Sequence, residues 1–221
     1  MYIVKQTLFS GAKAIVTLEK RTDVSRLAEG EERESILHFS LGKEFWKALG
    51  FEEGDVLSEE QIEEVANAVK QSDAVSKALD ALSYSNHSRR SLITKLKVKY
   101  KIDGDVAENA ADYCVRHGYI DEEYQAEKLA RCAVKAKNWG ARRVVSELCA
   151  KGYPKELSKR AACKISRLEY DEALKRAIKK KAKEYPSDYR AKSRLFASLA
   201  NLGHSPSDAD RVLSEIFEEI D

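Results

Sequence analysis

Residues 140–152 read Gly-Ala-Arg-Arg-Val-Val-Ser-Glu-Leu-Cys-Ala-Lys-Gly, in which a small or apolar residue recurs at every fourth position. That spacing places these residues along one face of a helix. The same register returns before and after this stretch at offsets of 52 and 51 residues. The three sets are Ser88, Leu92, Leu96 and Tyr100, then Gly140, Val144, Leu148 and Gly152, then Ala191, Leu195, Leu199 and Gly203. A period near fifty with no catalytic motif inside it indicates stacked helical units built for contact.

Three units of about three short helices each follow from residue 73. Their predicted helices lie near residues 73–85, 88–100 and 105–117, near 122–137, 140–151 and 155–168, and near 170–184, 187–202 and 206–219. Gly118, Gly152 and Gly203 mark helix ends. Ser88 and Ser205 are placed to cap helix starts. We therefore predict a mainly α fold in which three tandem three-helix units form an elongated, curved body.

The N-terminal region has a different pattern. Residues 2–4 and 14–18 are rich in β-forming residues and flank Ser10-Gly11, as in a hairpin. Residues 35–41 alternate in polarity and predict a third strand. The sequence therefore predicts a small β-containing appendage before the helical body.

Two helices connect this appendage to the repeats. A short helix near residues 43–49 should end at Gly50, and Ser58 opens a longer helix through a capping box with Gln61. The predicted domains are an N-terminal appendage (1–57), a linking helix (58–72) and three-helix units at 73–121, 122–169 and 170–221.

Composition narrows the class of protein. Of the 221 residues, 43% are hydrophobic and 34% are charged, a load that helical surfaces accommodate. No apolar run approaches the roughly 18 residues needed to cross a bilayer, and residues 1–13 lack the features of a signal peptide. The four cysteines show no CxxC spacing, which indicates reduced thiols. These features predict a cytoplasmic protein.

The net charge of +2 conceals an uneven distribution. Residues 1–72 carry 9 basic and 14 acidic side chains, whereas residues 73–221 carry 30 and 23. Residues 175–195 are the most basic stretch, with 9 basic and 2 acidic side chains. Local charge excess of this kind indicates binding partners rather than a fold.

Several stretches resemble signature motifs of the RecX family. Residues 140–152 fit its pattern G-x-x-R-[IV]-x-x-E-L-x-x-K-G. Residues 78–83 and 87–96 resemble A-L-x-x-L-S and R-S-x-x-E-L-x-x-K-L, with departures at Ser91 and, after the motif, at Tyr100. Residues 117–121 resemble the G-Y-[LI]-[DN] junction between the first two units. The resemblance covers residues 73–221 and is strongest in the middle unit.

The resemblance implies a regulatory protein that binds the RecA recombinase. Such proteins lie along the groove of the RecA–DNA filament, inhibit its strand-exchange, ATPase and coprotease activities, and promote or cap its disassembly. The resemblance also implies a cytoplasmic location and no cofactor. We expect the partners to be the RecA filament and single- or double-stranded DNA, the DNA bound weakly and without sequence preference, and the protein to be a monomer.

Basic side chains recur on predicted helix faces in all three units. In the middle unit, Lys128, Arg131 and Lys135 share one face at positions i, i+3 and i+7. Such a face is either simply solvated or binds phosphates or an acidic protein surface, and its repetition favours binding. The candidate partner- and DNA-binding residues are Arg89, Arg90, Lys95, Lys128, Arg131, Lys135, Lys137, Trp139, Arg142, Arg143, Lys175, Lys179, Lys180 and Lys183.

Trp139 is the one aromatic residue in this set. Aromatic rings among basic residues stack on single-stranded bases or anchor protein interfaces. Most aromatic residues of this chain lie near predicted helix ends, where contacts between helices are favoured instead. Trp139 immediately precedes a basic helix and is the first of them to test.

The sequence favours neither a catalytic nor a metal site. Cys114 and His117 are three residues apart, but no second ligand pair has zinc-site spacing, so a structural thiol beside a surface histidine is favoured. The other histidines, at positions 38, 87 and 204, form no nucleophile–base pattern, and no phosphate-binding loop motif is present. We predict that the protein is not an enzyme.

Two functions stay open at this point. The first is a regulator that binds a recombinase filament. The second is a stand-alone, sequence-tolerant DNA-binding helical module, because a three-helix unit with a basic second helix also resembles a helix-turn-helix domain. Base-specific contacts are disfavoured because the predicted helices that carry Arg89-Arg90 and Arg142-Arg143 contain no Asn or Gln to read bases.

Overall fold

The structure, a computed structural model, describes residues 1–20, 36–182 and 189–218. Its strands are β1 (Tyr2–Ser10), β2 (Lys13–Lys20), β3 (Ile36–Gly42) and β4 (Val56–Leu57). Its helices are α1 (Lys43–Leu49), α2 (Glu59–Tyr84), α3 (Arg89–Tyr100), α4 (Gly104–Arg116), α5 (Glu122–Lys137), α6 (Ala141–Ala150), α7 (Lys155–Cys163), α8 (Arg167–Ala182), α9 (Tyr189–Asn201) and α10 (Pro206–Glu218). The predicted mainly α fold with a small N-terminal β region is confirmed.

Two predicted helix boundaries are wrong. The helices predicted at 58–72 and 73–85 are one continuous helix, α2, because no glycine or proline interrupts the chain there. The break predicted near residue 169 lies earlier, between α7 and α8. Ser166 opens α8 because its Oγ accepts the Glu169 N–H at 3.2 Å and its own N–H donates to the Glu169 carboxylate at 3.0 Å.

The predicted helix caps are confirmed. Ser58 and Gln61 form the full capping box at the start of α2. Ser88 Oγ accepts the Ser91 N–H at 3.2 Å before α3, and Ser205 Oγ accepts the Asp208 N–H at 3.0 Å before α10. Each bond satisfies one of the N–H groups that a helix start leaves without a backbone partner.

The first compact unit comprises Met1–Ser85 and Leu92–Tyr119. Its antiparallel sheet has the strand order β3-β2-β1-β4. The inner face of the sheet packs on α1 and α2 through a core whose buried members are Val4, Ala14, Val16, Leu18, Leu41, Trp46, Leu57 and Val65. The helices α2 and α4 contact each other, and both contribute buried alanines, which let two helices approach closely.

The second compact unit comprises Asn86–Ser91 and Ile120–Asp221. One core cluster joins α5, α6 and α7 and contains Trp139, Val144, Leu148 and Tyr153. A second cluster joins α8, α9 and α10 around Leu174, Leu199 and Val212. The division of the whole helical region into three three-helix units stays a prediction.

One contact occurs twice in the second compact unit, one repeat apart. At the end of α6, the Lys151 carbonyl accepts a hydrogen bond from Ser88 Oγ at 2.8 Å. At the end of α9, the Leu202 carbonyl accepts one from the Gly140 N–H at 2.8 Å. In both cases the next residue has a positive φ and lies against the start of another helix: Gly152 against the start of α3, and Gly203 against the start of α6. We call this the end-to-start contact.

Candidate partner-binding surface

The junction between α5 and α6 holds several of the predicted site residues. Asn138 follows α5 in a left-handed conformation, φ 54°, and turns the chain into Trp139. The Trp139 side chain is only 8% exposed. Lys137 Nζ lies 4.4 Å from the centroid of its ring and Arg143 Cζ lies 4.8 Å from it. Trp139 is therefore a buried support for two cations, because a ring face attracts positive charge.

The adjacent arginines at the start of α6 have different surroundings. Arg143 Nη1 donates to the Asn201 carbonyl at 2.7 Å, at the end of α9. A cation at this position stabilises a helix C-terminus, where carbonyls lack partners and the helix dipole is negative. Arg142 is exposed and has neither a hydrogen bond nor an ion pair among the described residues. Arg142 is the member of the pair whose guanidinium is available to a partner.

The predicted stripe on α5 is partly neutralised. Arg131 forms an ion pair with Glu169 at 3.3 Å. Hydrogen bonds from Ser166, together with the charges of Arg131 and Lys135, lower the pKa of the Glu169 carboxyl. Lys128 is exposed, and its Nζ lies 5.8 Å from the centroid of the Tyr124 ring. The stripe thus contains both paired and available cations.

A second set of lysines, some in ion pairs and some not, lies along α8. Lys175 is half-buried and forms an ion pair with Glu215 at 3.5 Å. Lys179 and Lys180 are exposed and have no ion pair among the described residues. Lys183 lies outside the described residues. The available candidate lysines of α8 therefore lie near its C-terminal end.

The candidate binding residues on α3 are less accessible to a partner. Arg90 is exposed, whereas Arg89 and Lys95 are half-buried. The backbone N–H of Arg89 donates to Glu122 at 2.9 Å, at the start of α5. All three residues have further interactions within the protein. They are weaker candidates for partner contact than Arg142.

Asn138 and His204 are central to the surface and were not among the predicted site residues. His204 Nε2 donates to the Asn138 carbonyl at 2.9 Å, and Arg176 Nε donates to Asn138 Oδ1 at 2.9 Å. His204 is buried, and burial lowers the pKa of its imidazole. An asparagine immediately after a helix is a sequence signal for a left-handed turn, but its partners are 38 and 66 residues away.

Neither a metal centre nor a membrane span is found in the part of the chain that the structure describes. Within residues 1–20, 36–182 and 189–218, no cluster of three or more His, Cys, Asp or Glu side chains could hold a metal ion. No helix in these ranges has both the length and the apolar character needed to cross a bilayer.

No protein-family model matches the chain. Among curated proteins, it is similar to the regulatory protein RecX of Clostridioides difficile, with 23% identity over 189 residues that cover 82% of this chain and 87% of the relative. It is 24% identical to that of Listeria monocytogenes, over 91% of this chain and 77% of the relative. The match to that of Staphylococcus carnosus, at 27% identity, covers 58% of this chain and 44% of the relative.

Solved structures extend the similarity to the fold. A crystal structure of regulatory protein RecX covers 97% of this chain and all of that chain, with a TM-score of 0.78 and 18% identity. This chain therefore resembles RecX proteins in both sequence and fold. A crystal structure of RecX from Lactobacillus salivarius covers 66% of this chain and 96% of that chain, with a TM-score of 0.61 and 22% identity. The RecX relatives are described as regulatory proteins.

Proposed function

We propose that this chain is a RecX family protein that binds the RecA recombinase–DNA filament and modulates it, mainly by inhibiting its recombinase, ATPase and coprotease activities. Its similarity to RecX regulatory proteins supports a regulatory role. The observation that carries the binding proposal is a set of exposed cations in the second compact unit that have no carboxylate partner among the described residues. Among the predicted site residues, its members are Lys128, Lys135, Lys137, Arg142, Lys179 and Lys180.

These cations suit a composite target of protein and DNA. Exposed Lys and Arg side chains neutralise phosphates and also meet acidic protein surfaces. Trp139 is covered by Lys137 and Arg143, so its ring is not available for base stacking. Contacts of Lys and Arg with phosphates carry no sequence information, and we propose that the protein contacts DNA in this way, without base recognition. We place the interaction in the cytoplasm and propose that a monomer performs it.

The decisive experiment measures ATP turnover by RecA on single-stranded DNA while the purified protein is titrated in. We expect a concentration-dependent loss of turnover. Arg142→Ala should raise the concentration needed for half-inhibition about tenfold, the effect of removing one charge-assisted hydrogen bond. Arg160→Ala is the matched control, because Arg160 is also exposed but lies on α7 and outside the candidate set.

A second measurement separates this proposal from a stand-alone DNA-binding module. Retention on naked single-stranded DNA is compared with retention on a RecA–DNA filament across a salt series. The proposal requires stronger retention on the filament at every salt concentration. Equal retention on both, together with unchanged ATP turnover, would instead support the DNA-binding module.

A further inference from the structure

The second compact unit contains an open cavity of about 760 Å³, and of the cations named for the proposed function only Arg142 lines it. Its wall is formed by the start of α6, the end of α7, the first half of α8 and the junction between α9 and α10. Most of its lining surface is apolar, and we call the buried Ile165 and Leu174, together with half-buried Val145, its floor. A cavity of this size is within the range that holds a small molecule or a few side chains of a bound peptide.

The carboxylates at this cavity are already engaged. Asp171 Oδ1 forms an ion pair with Arg211 Nη2 at 2.6 Å. Asp208 accepts a hydrogen bond from Ser205 Oγ and lies 3.7 Å from the same arginine. Arg211 also pairs with Glu215 at 2.7 Å, so its single positive charge offsets only part of the negative charge of the two aspartates.

The cations at the mouth are not neutralised to the same extent. Arg142 and Arg167 are exposed, line the cavity and have no ion pair among the described residues. Lys159 also lines it and forms an exposed ion pair with Glu156 at 2.9 Å. Buried His204 adds no charge near neutral pH, because burial lowers the pKa of its imidazole. The mouth is therefore positive over an apolar floor.

We propose that this cavity binds an acidic peptide segment of a partner protein, with one bulky apolar side chain inserted over Val145 and Leu174 and flanking carboxylates at Arg142 and Arg167. An aliphatic floor favours an apolar side chain, because burial removes its surface from water. Guanidinium groups form paired hydrogen bonds with carboxylates. The charge complementarity at the mouth thus selects acidic residues beside the apolar one.

A nucleic acid fits this cavity less well. Bases stack on exposed flat rings, but Tyr170, the aromatic ring in the wall, is half-buried and its hydroxyl donates to the Ala162 carbonyl at 3.0 Å. A phosphodiester chain would also have to leave water for an aliphatic surface. A peptide-binding site goes beyond the proposed function, because it gives the cavity a class of ligand of its own. Binding of the peptide requires neither RecA nor a filament.

Two cysteines allow the proposal to be tested on the unmodified protein. Cys163 is exposed and lines the cavity, whereas Cys132 is exposed on α5 and does not line it. Cys114 is buried and its thiol pKa is raised to about 11, so it reacts slowly. The probe is the N-acetylated peptide Glu-Asp-Phe-Leu-Glu-Asp at millimolar concentration, and the readout is the rate of iodoacetamide alkylation at each cysteine by mass spectrometry.

The expected result is selective protection of Cys163. When four-fifths of the protein is bound, its alkylation should slow about fivefold by mass action, while Cys132 reacts at an unchanged rate. Arg142→Ala combined with Arg167→Ala should raise the half-protecting peptide concentration about tenfold, and Arg160→Ala should leave it unchanged. The same peptide with lysines in place of its acidic residues should not protect.

Three outcomes would overturn the proposal. They are no protection of Cys163, equal protection of Cys163 and Cys132, and equal protection by the lysine peptide. Protection by an oligothymidylate without protection by the acidic peptide would assign the cavity to nucleic acid. RecA inhibition is measured separately, so each of these results leaves the filament proposal standing.

Discussion

Gly140 and Gly203 meet backbone against backbone at the start of α6. A Cβ atom built on Gly140 would lie 2.4 Å from the Gly203 carbonyl oxygen, and one built on Gly203 would lie 2.4 Å from the Arg143 backbone nitrogen. Real Cβ atoms do not approach other atoms so closely, so neither position accommodates a side chain without movement of the backbone. The close approach of α6 and α9 at this point therefore requires glycine, which has no Cβ atom, at both positions.

Gly203→Ala should destabilise the second compact unit strongly. The substitution combines a strained left-handed backbone, φ 87°, with a clash against α6, at a cost of about 1–2 kcal/mol for the strain and about 1–3 kcal/mol for overpacking. Urea denaturation followed by circular dichroism measures the loss. Gly118→Ala is the matched control, because Gly118 also has a positive φ, 73°, but nothing lies within 4 Å of its Cβ position. Equal losses in both variants would show that the contact with α6 contributes nothing.

The two arginines that open α6 should separate into one that stabilises the fold and one that binds. Arg143→Ala removes the hydrogen bond to the Asn201 carbonyl and the contact with Trp139, so we expect a loss of about 1 kcal/mol in unfolding free energy. Arg142→Ala should change this free energy by no more than about 0.5 kcal/mol, the usual effect of a surface substitution. Urea denaturation of the two single variants provides the comparison, and a larger loss for Arg142→Ala would contradict it.

The lysines near the end of α8 should determine how steeply filament binding depends on salt. If Lys179 and Lys180 contact phosphates, Lys179→Gln with Lys180→Gln should flatten the plot of log affinity against log salt by about one unit for each phosphate that is no longer neutralised. The measurement is filament affinity by fluorescence anisotropy across a salt series. The matched control is Lys97→Gln with Lys99→Gln, which removes two exposed lysines of α3 that are not candidates. An identical slope in both double variants would mean that the α8 lysines are only solvated.

Stability should fall between neutral and mildly acidic pH because of His204. Burial lowers the pKa of its imidazole from the ordinary 6.5, so the unfolded chain binds a proton more readily than the folded one. This contribution to stability is fully present above 6.5 and is lost as the pH falls from there toward the lowered pKa of the folded state. Urea midpoints at neutral and mildly acidic pH should therefore differ more for the wild type than for His204→Gln. His38→Gln, at an exposed histidine, should retain the wild-type difference.

The helices were predictable from sequence because their signals are local. A four-residue register and a capping serine each act within one or two turns, and the caps at Ser58, Ser88 and Ser205 are all present. The continuous α2 was divided in the prediction because the repeat period, rather than any helix-stopping residue, set a boundary at residue 73. The start of α8 at Ser166 was missed although Ser166 and Glu169 have capping-box spacing.

The sequence predicts which residues of the candidate surface are charged. It does not predict which of them are already paired within the protein and which are free to bind a partner. Arg143 is held by a carbonyl 58 residues away, and Arg131 by a carboxylate 38 residues away. No local pattern in the sequence distinguishes these cations from Arg142, because the partner that neutralises a side chain is set by tertiary contact. Trp139 illustrates the same limit. Its position before a basic helix was visible, but its burial beneath Lys137 and Arg143 was not.

The end-to-start contact affects how a chain of this kind can gain or lose residues during evolution. Backbone atoms and one small residue on each side define the joint, at Ser88 with Gly152 and again at Gly140 with Gly203. An insertion inside a helix would rotate one partner of the joint by about 100° per residue relative to the other. We therefore expect such a chain to gain or lose material more readily in whole steps of about fifty residues, the spacing between the two joints and the step that duplication of a unit supplies.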